Sequence, residues 1–399
     1  MGQQLWAGID AGKSEHHCLV IDTDGQRLLS RRVANDEAVL GELIDAVITP
    51  ADGGEVTWAI DLNHGGAALL ISLLMAAEQR LLYIPGRTVY HASGSYRGEG
   101  KTDAKDAAII ADQARMRRDL QPLRPGDEIA VDLRILTARR SDLVADRTRA
   151  INRLRAQLLE YFPALERAFD YSHSKAALIL LTGYQTPDGL RRIGAARLEA
   201  WLRKRNARNA AAVAVAAIEA ADAQRTTVPG QQVAAAMVAR LAKEVMALDT
   251  EIGDTEAMIE DRFRCHRHAE IILSMPGFGV QLGAELLAAT GGDMTAFDSV
   301  DRLAGVSGLA PVPRDSGRIH GNLKRPRRYD RRLLRACYLS AQIATRTDPA
   351  SRTYYDRKRS EGKTHTQAII ALARRRLNVL WAMLRDHAAY QPAATAAAA

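Results

Sequence analysis

Two aspartates, Asp103 and Asp106, stand three residues apart in the segment EGKTDAKDAAIIADQAR. On a helix, this spacing puts both carboxylates on one face, where they repel each other unless a cation lies between them. Acids are also favoured at helix starts and Thr102 suits an N-cap, so the pair has an ordinary structural explanation. The pair therefore indicates a metal site only if further acids converge on it.

Two more aspartates lie in segments with strand character. Asp10 belongs to the apolar stretch LWAGIDAGK, and Asp61 ends the stretch EVTWAID. Acids from two strands and a later helix are the set with which a ribonuclease-H-like sheet holds two divalent metals for phosphoryl transfer. Their order along the chain favours this interpretation over two unrelated roles, a turn residue for Asp10 and a helix cap for Asp61.

A second interpretation of the N-terminal segment is a nucleotide site. GIDAGKSEHHCLVIDTDG also suits the first phosphate loop of actin-like ATPases and sugar kinases. Those enzymes need a second phosphate loop and an adenosine loop, and we find neither in a convincing place. The sequence also lacks a Walker A motif. ATP-driven chemistry is therefore disfavoured.

The elements that would position the acids follow from the apolar patterning. Three short strands separated by turn signals predict an antiparallel meander, and a helix near residues 36 to 47, the strand EVTWAID, an apolar helix and the strand RLLYIPG come next. This order predicts an α/β fold, with a mixed sheet flanked by helices, for residues 1–125.

The middle of the chain, residues 126–265, has helical patterning. Residues 128 to 160 carry an apolar stripe, and a second long helix starting after Pro229-Gly230 carries a heptad seam. The seam predicts a coiled coil, either antiparallel or between chains, and a helix packed in its own domain is nearly as good an interpretation. The seam residues are Val238, Leu241, Val245, Leu248, Ile252, Thr255 and Ile259.

The composition limits the class of protein. Of 399 residues, 55 are Lys or Arg against 47 Asp or Glu, and the pI of 9.5 favours a polyanionic partner such as nucleic acid. No signal peptide and no membrane-spanning apolar run is evident, so we expect a cytoplasmic, nucleoid-associated protein without membrane contact. The three distant cysteines predict no disulfide, and Cys265-His266-Arg267-His268 lacks a second ligand pair, so we expect it to end a charged helix.

Two C-terminal segments suit nucleic-acid phosphates. Pro276-Gly277-Phe278-Gly279 precedes an Ala/Leu helix and looks like a helix-hairpin-helix element, with a plain interhelical turn as the alternative. The stretch from Arg314 to Arg335 holds nine basic residues and two acids, and it should bind phosphates in a salt-dependent way. The candidate nucleic-acid contacts are Gly277, Gly279, Arg314, Arg318, Lys324, Arg325, Arg327, Arg328, Arg331 and Arg332.

Ser316 lies within this basic stretch, before Gly317. A serine in a glycine turn is most often only a turn residue. Flanked by phosphate-binding cations and brought to a metal site, its hydroxyl could instead attack a phosphodiester and form a phosphoserine, which spacing alone does not establish. Ser307, in the apolar context VSGLAP, is a weaker candidate nucleophile.

Together these features resemble the DEDD-type insertion-sequence transposases of the IS110 family. The resemblance rests on Asp10, Asp61, Asp103 and Asp106, and on the segments MPGFG, LAGVSGLAPVPRDSG and RRLLRACYLSA. It spans nearly the whole chain, including the arginine-rich helix RTRAINRLRAQLLEYFP. It implies a RuvC-like domain in residues 1–125, a coiled-coil helical region in 126–265, a mainly helical transposase domain in 266–390 and a disordered tail in 391–399.

The resemblance also implies a mechanism. The four acids would bind Mg²⁺ or Mn²⁺ and Ser316 would act as nucleophile, so that DNA recombines without ATP. A structured noncoding bridge RNA would pair with donor and target DNA, and the protein would self-associate as a dimer to tetramer.

One position departs from the family pattern. A glutamate followed by a Thr-Gly turn is usual at the second acid, whereas this chain has Asp61-Leu62-Asn63-His64-Gly65, so a contact to metal through water is expected. Two other functions share these features. A site-specific DNA invertase of the same architecture would use the same residues, and a metal-dependent structure-specific nuclease would need the acids but not Ser316.

Overall fold

A mixed six-stranded sheet with the strand order β3-β2-β1-β4-β5-β6 forms the centre of the N-terminal unit. The computed structural model describes residues 2–97, 100–123, 127–318 and 320–392. The chain divides into two compact units, Met1–Pro125 and Gly126–Ala399. The strands are β1 Leu5–Ala11, β2 Glu15–Ile21, β3 Arg27–Ala34, β4 Val56–Ile60, β5 Arg80–Tyr83 and β6 Gln121–Pro122.

The pairing of these strands confirms the predicted mixed sheet. β1, β2 and β3 form the expected antiparallel meander, β1, β4 and β5 run parallel, and β6 is antiparallel to β5. The helices of this unit are α1 Glu37–Ile48, α2 Ala68–Ala76, α3 Gly86–Ser93 and α4 Asp103–Met116. The RuvC-like subtype of this architecture stays a prediction.

Helices cover both faces of the sheet, and β1 alternates between them. Leu5 and Ile9 of β1 pack in one core with α1 and α2, whereas Trp6 packs in a second core with α4. Because side chains alternate along a strand, Gly8 and Asp10 lie on the same face as Trp6. The sheet thus turns Asp10 toward α4.

The second unit is helical. Two 34-residue helices, α5 Glu128–Tyr161 and α11 Gln231–Arg264, run antiparallel, as the ion pairs Arg147 to Asp249 and Arg262 to Asp132 show. Leu154 and Val245 share one core and Leu133 and Ile259 another, so seam residues pack within the chain. Coiled-coil packing in the strict sense, and pairing between chains, stay predictions.

The remaining helices of this unit pack on that helix pair or on one another. Gly230, with φ of +79°, precedes α11 as expected, and Cys265 follows its last residue, so the Cys-His segment does end a helix. All three cysteines are free. The other helices are α6 Pro163–Ala168, α7 Lys175–Gly183, α8 Pro187–Ile193, α9 Ala195–Arg203, α10 Ala210–Asp222, α12 Ala269–Ser274, α13 Val280–Thr290, α14 Val300–Val306, α15 Arg331–Thr347, α16 Pro349–Ser360 and α17 His365–Arg385.

A short hairpin of β7 Val312–Pro313 and β8 Leu323–Lys324 precedes α15. Within the part of the chain that the structure describes, no helix combines the length and the apolar character that crossing a membrane requires. The predicted tail of residues 391–399 lies, from residue 393 onward, outside the described residues. The predicted boundary at residue 265 and the disorder of the tail stay predictions.

Candidate active site

Asp10 and Asp61 stand side by side at the carboxyl ends of two neighbouring parallel strands. Ile9 of β1 is in register with Ile60 of β4, so the residues that follow them share one edge of the sheet. Asp61 Oδ1 accepts a hydrogen bond from the backbone N–H of Ala11 at 3.2 Å. No side-chain cap is found at the start of α2 or of the short turn before it, so the alternative role of Asp61 as a helix cap is wrong.

Helix α4 brings the other two aspartates to the same edge. It crosses β1 at Gly8, where a Cβ would lie 2.2 Å from the carbonyl oxygen of Ala107 and 2.4 Å from the N–H of Ala111. Only a residue without a side chain permits this approach. Thr102 caps the helix through its Oγ1, which accepts from the N–H of Lys105 at 3.2 Å, as its sequence suggested.

The charges of the four carboxylates interact. The pKa of Asp10 is raised to about 6, first by burial and then by the negative charges of Asp61, Asp106 and Asp103, in that order, against a lowering by Lys101. Burial also raises the pKa of Asp61, opposed by its hydrogen bond from Ala11. The other three aspartates are therefore close enough to Asp10 to disfavour its ionised form.

Carboxylates that repel in this way form an oxygen-only donor set, which suits Mg²⁺ or Mn²⁺. A cation among them would relieve the repulsion. As the side chains stand, no group of three or more His, Cys, Asp or Glu residues among those described is arranged to hold a metal ion. Asp103 Oδ2 is instead paired with Arg32 Nη2 at 2.7 Å.

Arg32 belongs to a row of polar residues that crosses the sheet. Asp10 of β1 faces His17 of β2, and His17 faces Arg32 of β3. The His17 Nε2 lies 2.9 Å from Ser30 Oγ, and Arg32 also contacts Glu15 at 3.4 Å. Sequence reasoning missed Gly8, His17 and Arg32, because their importance depends on strand register and helix packing and no local motif marks them.

Ser316 lies at the exposed tip of the β7–β8 hairpin in the second unit. The hairpin is closed by the N–H of Arg314 donating to the carbonyl of Asn322 at 2.9 Å and by Asn322 N–H donating to Asp315 Oδ1 at 2.9 Å. Gly317, with φ of +52°, makes the turn after Ser316. The Ser316 side chain is therefore open to a large substrate.

Ser307 has the opposite environment. It is fully buried, and its Oγ donates to the carbonyl oxygen of Ala304 at 3.0 Å. A buried hydroxyl with a satisfied hydrogen bond cannot reach a phosphodiester, and of the two serines only Ser316 is exposed.

Uncompensated cations surround the hairpin. Arg325 stacks on Tyr329, with Cζ 4.9 Å from the ring centroid, and its Nη2 donates to the Tyr329 hydroxyl at 2.8 Å. The other predicted contacts of this segment are exposed and, within the described residues, form no ion pair with an acid. They are Arg314, Arg318, Lys324, Arg327, Arg328, Arg331 and Arg332.

The turn before α13 has two glycines in different environments. A Cβ on Gly277, which has φ of +86°, would lie 2.3 Å from the carbonyl oxygen of Ser340, so this residue packs against α15. Gly279 is exposed, and the first turn of α13 has no side-chain cap. The cleft beside Gly279 is lined by Glu256 and Glu260, each of which is paired with an arginine.

The acids thus belong to the first unit, and Ser316 with its cations belongs to the second. Comparisons with known proteins match both regions. A DEDD transposase model of the IS110 type, described as transposase, matches residues 7–163, and a model described as transposase of the IS116/IS110/IS902 family matches residues 269–356.

Several curated proteins are similar over the full length. The uncharacterised 42 kDa protein of insertion element IS900 from Mycobacterium paratuberculosis is 78% identical over 399 residues, covering 100% of both chains. The uncharacterised 44.8 kDa protein of insertion element IS116 from Streptomyces clavuligerus is 52% identical, covering 98% of this chain and 97% of that protein. The pilin gene-inverting protein of Moraxella bovis is 33% identical over 124 residues, or 31% of this chain and 38% of that protein.

Proposed function

The chain belongs to the IS110/IS116/IS902 family of transposases, and from that premise we propose that it cuts and rejoins DNA through a phosphoserine intermediate at Ser316. The observation that carries the proposal is the exposure of Ser316 at the tip of a hairpin, among arginines and a lysine that form no ion pair within the described part of the chain. Those cations would neutralise the phosphate around the attacked phosphorus and fix it against the hydroxyl.

The proposed step is a transesterification. The Ser316 Oγ forms a bond to phosphorus and loses its proton, while the bond from phosphorus to one deoxyribose oxygen breaks and that oxygen takes up a proton. A second strand end then attacks the phosphoserine and releases the serine. Because one phosphodiester bond replaces another at each stage, no nucleotide hydrolysis is needed.

The four acids would provide the metal site for this reaction. Asp10, Asp61, Asp103 and Asp106 would hold Mg²⁺ or Mn²⁺, with Asp103 leaving or sharing its pairing with Arg32. When bound, the metal supplies charge stabilisation and orientation for the phosphoryl group. The raised pKa of Asp10 supports the proposal. Burial and the neighbouring carboxylates disfavour the ionised form of Asp10, and a divalent cation bound among these acids would favour it.

The partners proposed for the reaction are donor DNA, target DNA and a structured guide RNA that pairs with both. Self-association to a dimer or tetramer would let protomers share sites. The family assignment and the excess of 55 basic over 47 acidic residues support these partners.

A site-specific DNA invertase is a second candidate function. The similarity to pilin gene-inverting proteins of two Moraxella species, 33% and 31% identical, favours it. An invertase would use the same serine and acids, so the two functions differ in the arrangement of their DNA sites. Noncoding ends with short repeats around the gene indicate a mobile element, whereas inverted sites around another gene indicate an invertase.

The test is to incubate the purified protein with Mg²⁺, candidate guide RNA and cognate DNA, and to separate the products on a denaturing gel. We expect a protein-linked DNA species that is absent in Ser316→Ala. Ser360→Ala, which changes another exposed serine of the same unit, should form the species as the unchanged protein does. Cleavage that persists in Ser316→Ala, without a linked species and with a need for Asp10, would replace the proposal with a metal-dependent nuclease.

A further inference from the structure

A second group of cations converges on Tyr354 of α16, apart from the hairpin. The charged groups of Arg357 and Arg375 lie 5.0 Å from the centre of the tyrosine ring, and that of Lys358 lies 5.5 Å from it. We name Arg357, Lys358 and Arg375 the Tyr354 cluster. Cation–π contact restricts the motion of these side chains. They therefore lose less conformational entropy when a ligand binds.

The Tyr354 cluster is incompletely neutralised. Glu361 pairs with Lys358 at 2.7 Å and more distantly with Arg357 at 3.8 Å, while Arg375 forms no ion pair within the described residues. Three like charges around one ring, of which two share one carboxylate, create a local excess of positive potential. A bound anion would compensate it.

The surroundings of the cluster extend this excess. In residues 349–363 five cations outnumber two acids, and most of these side chains are exposed. The cations are Arg352, Arg357, Lys358, Arg359 and Lys363, and the acids are Asp356 and Glu361. A surface with this charge balance, spread over three helical turns, suits an extended polyanion better than a single small anion.

A buried arginine fixes this surface to the rest of the unit. Arg376, next to Arg375, is 6% exposed. Its Nη1 donates to Ser351 Oγ at 3.3 Å, and its Nη2 donates to Ser340 Oγ at 3.1 Å and to the carbonyl of Pro276. Arg376 thus hydrogen-bonds to α16, to α15 and to the turn before α13. These contacts fix the position of α16, and with it that of the Tyr354 cluster, before any ligand binds.

We propose that the Tyr354 cluster binds backbone phosphates of the same DNA duplex that the serine hairpin engages. This inference rests on the proposed function, because that function makes duplex DNA the polyanion held by this unit. Arg376 joins α16 to α15 through Ser351 and Ser340, and α15 begins at Arg331, one of the exposed cations that follow the serine hairpin. The cluster and the hairpin cations therefore belong to connected elements of one unit, which suits contacts to separate phosphates of one duplex.

The experiment measures binding and not cleavage. The full-length variant Arg357→Gln/Lys358→Gln/Arg375→Gln is titrated against a labelled 30-base-pair duplex in EDTA, at several salt concentrations. We expect affinity to fall about 10-fold or more near 0.1 M salt, and the slope of log K against log salt to decrease in magnitude by about 2 to 3, since each lost phosphate contact removes about 0.9.

A matched variant controls for net charge. Arg203→Gln/Lys204→Gln/Arg208→Gln removes the same charge from exposed positions of the same unit. We expect it to change affinity less than about 2-fold and the slope by less than about 1. An equal loss in both variants, or no loss in the first, would overturn the proposal. A loss confined to a structured RNA of similar length would also overturn it, and would assign the surface to RNA.

Folding and chemistry are checked separately. Tyr354→Phe keeps the ring and should bind the duplex like the unchanged protein, and the thermal unfolding of the triple variant shows whether weak binding reflects a damaged fold. At saturating DNA the triple variant should still form the Ser316 adduct. If the unchanged protein forms no adduct but the triple variant still loses duplex binding, the phosphoserine mechanism is wrong and the Tyr354 cluster is still a DNA-binding surface.

Discussion

The acid group and the serine hairpin place their reactive side chains in contrasting ways. Asp10 and Asp61 are fixed by a central pair of parallel strands and by a helix that touches β1 at Gly8. Ser316 projects from a hairpin of two short strands whose residues are exposed. The acids thus depend on tertiary packing, whereas the serine depends on local turn geometry and on cations nearby in sequence.

The largest expected effect comes from Gly8→Ala. The new Cβ would meet the backbone of α4 at 2.2 Å, and neither β1 nor α4 can move without disturbing both cores of the unit. We expect the free energy of unfolding to fall by about 3 kcal/mol, and metal affinity to fall with it. Urea denaturation measures the first quantity.

Gly41→Ala is the matched control. Gly41 lies in α1, and a Cβ there would meet nothing within 4 Å, so alanine should stabilise the helix by about 0.5 to 1 kcal/mol. If Gly8→Ala were tolerated as well as Gly41→Ala, the close contact between α4 and β1 would not determine the acid group.

The next largest effect is on the pH dependence of stability. The pKa of Asp10 is about 6 in the fold against 3.8 for an ordinary aspartate, so the folded state holds its proton through a range where the unfolded chain has lost it. This contribution to stability is fully present below about pH 3.8 and is lost as the pH rises through 6. After allowance for solvent screening, the loss is on the order of 2 kcal/mol.

Asp10→Asn should therefore unfold at higher urea concentration than the unchanged protein at pH 7.5 in EDTA, with a smaller difference at pH 4.5. Mg²⁺ should stabilise the unchanged protein and leave Asp10→Asn unaffected. Asp45→Asn, at an exposed position on α1, is the control and should change neither result. A destabilised Asp10→Asn protein in EDTA would mean that the carboxylates do not repel one another as described.

A smaller effect is expected at Arg32. Arg32 pairs with Asp103 and adds positive charge beside the acids, so Arg32→Gln should free an oxygen and tighten Mg²⁺ binding by about 2- to 5-fold, in line with the small energy of an exposed ion pair. The midpoint of the Mg²⁺-dependent thermal shift measures this. Arg32→Lys keeps the charge and should change it less. Weaker binding in Arg32→Gln would instead make Arg32 a residue that orients Asp103 for the metal.

The smallest effect on stability is expected at the hairpin. Gly317 has φ of +52° but open space around it, so Gly317→Ala should lower the free energy of unfolding by about 1 kcal/mol or less. Adduct formation at Ser316 should slow, because the turn that presents the hydroxyl changes. An unchanged rate of adduct formation would show that Ser316 attacks DNA from a hairpin conformation different from the one seen without DNA.

The sequence predicted the elements of the first unit well because their signals are local. Alternating apolar residues and turn signals indicated β1 to β3, and Thr102 marked the start of α4. The strand positions of Asp10 and Asp61 predicted their shared edge of the sheet, whereas a metal site of all four acids stays a prediction. The pairing of Arg32 with Asp103 was not predictable, because 71 residues separate them and only the strand register and the position of α4 bring them together.

In the second unit, local motifs predicted the elements but not the contacts between them. The heptad seam indicated a long packed helix but did not identify α5 as its partner, which the arginine and acid pairs along both helices reveal. The motif around Gly277 suggested exposed amides, whereas this glycine packs on α15 at Ser340. The hairpin strands have two residues each, too few for an alternation pattern.

The most direct test of the phosphoserine mechanism is peptide mass spectrometry of the DNA-linked protein, trapped with Mg²⁺ and cognate nucleic acids. We expect a nucleotide remnant on the peptide that contains Ser316, and no linked peptide from Ser316→Ala or Asp10→Asn. A remnant on another residue, or DNA that is cut efficiently by Ser316→Ala with no linked peptide, would contradict the phosphoserine mechanism.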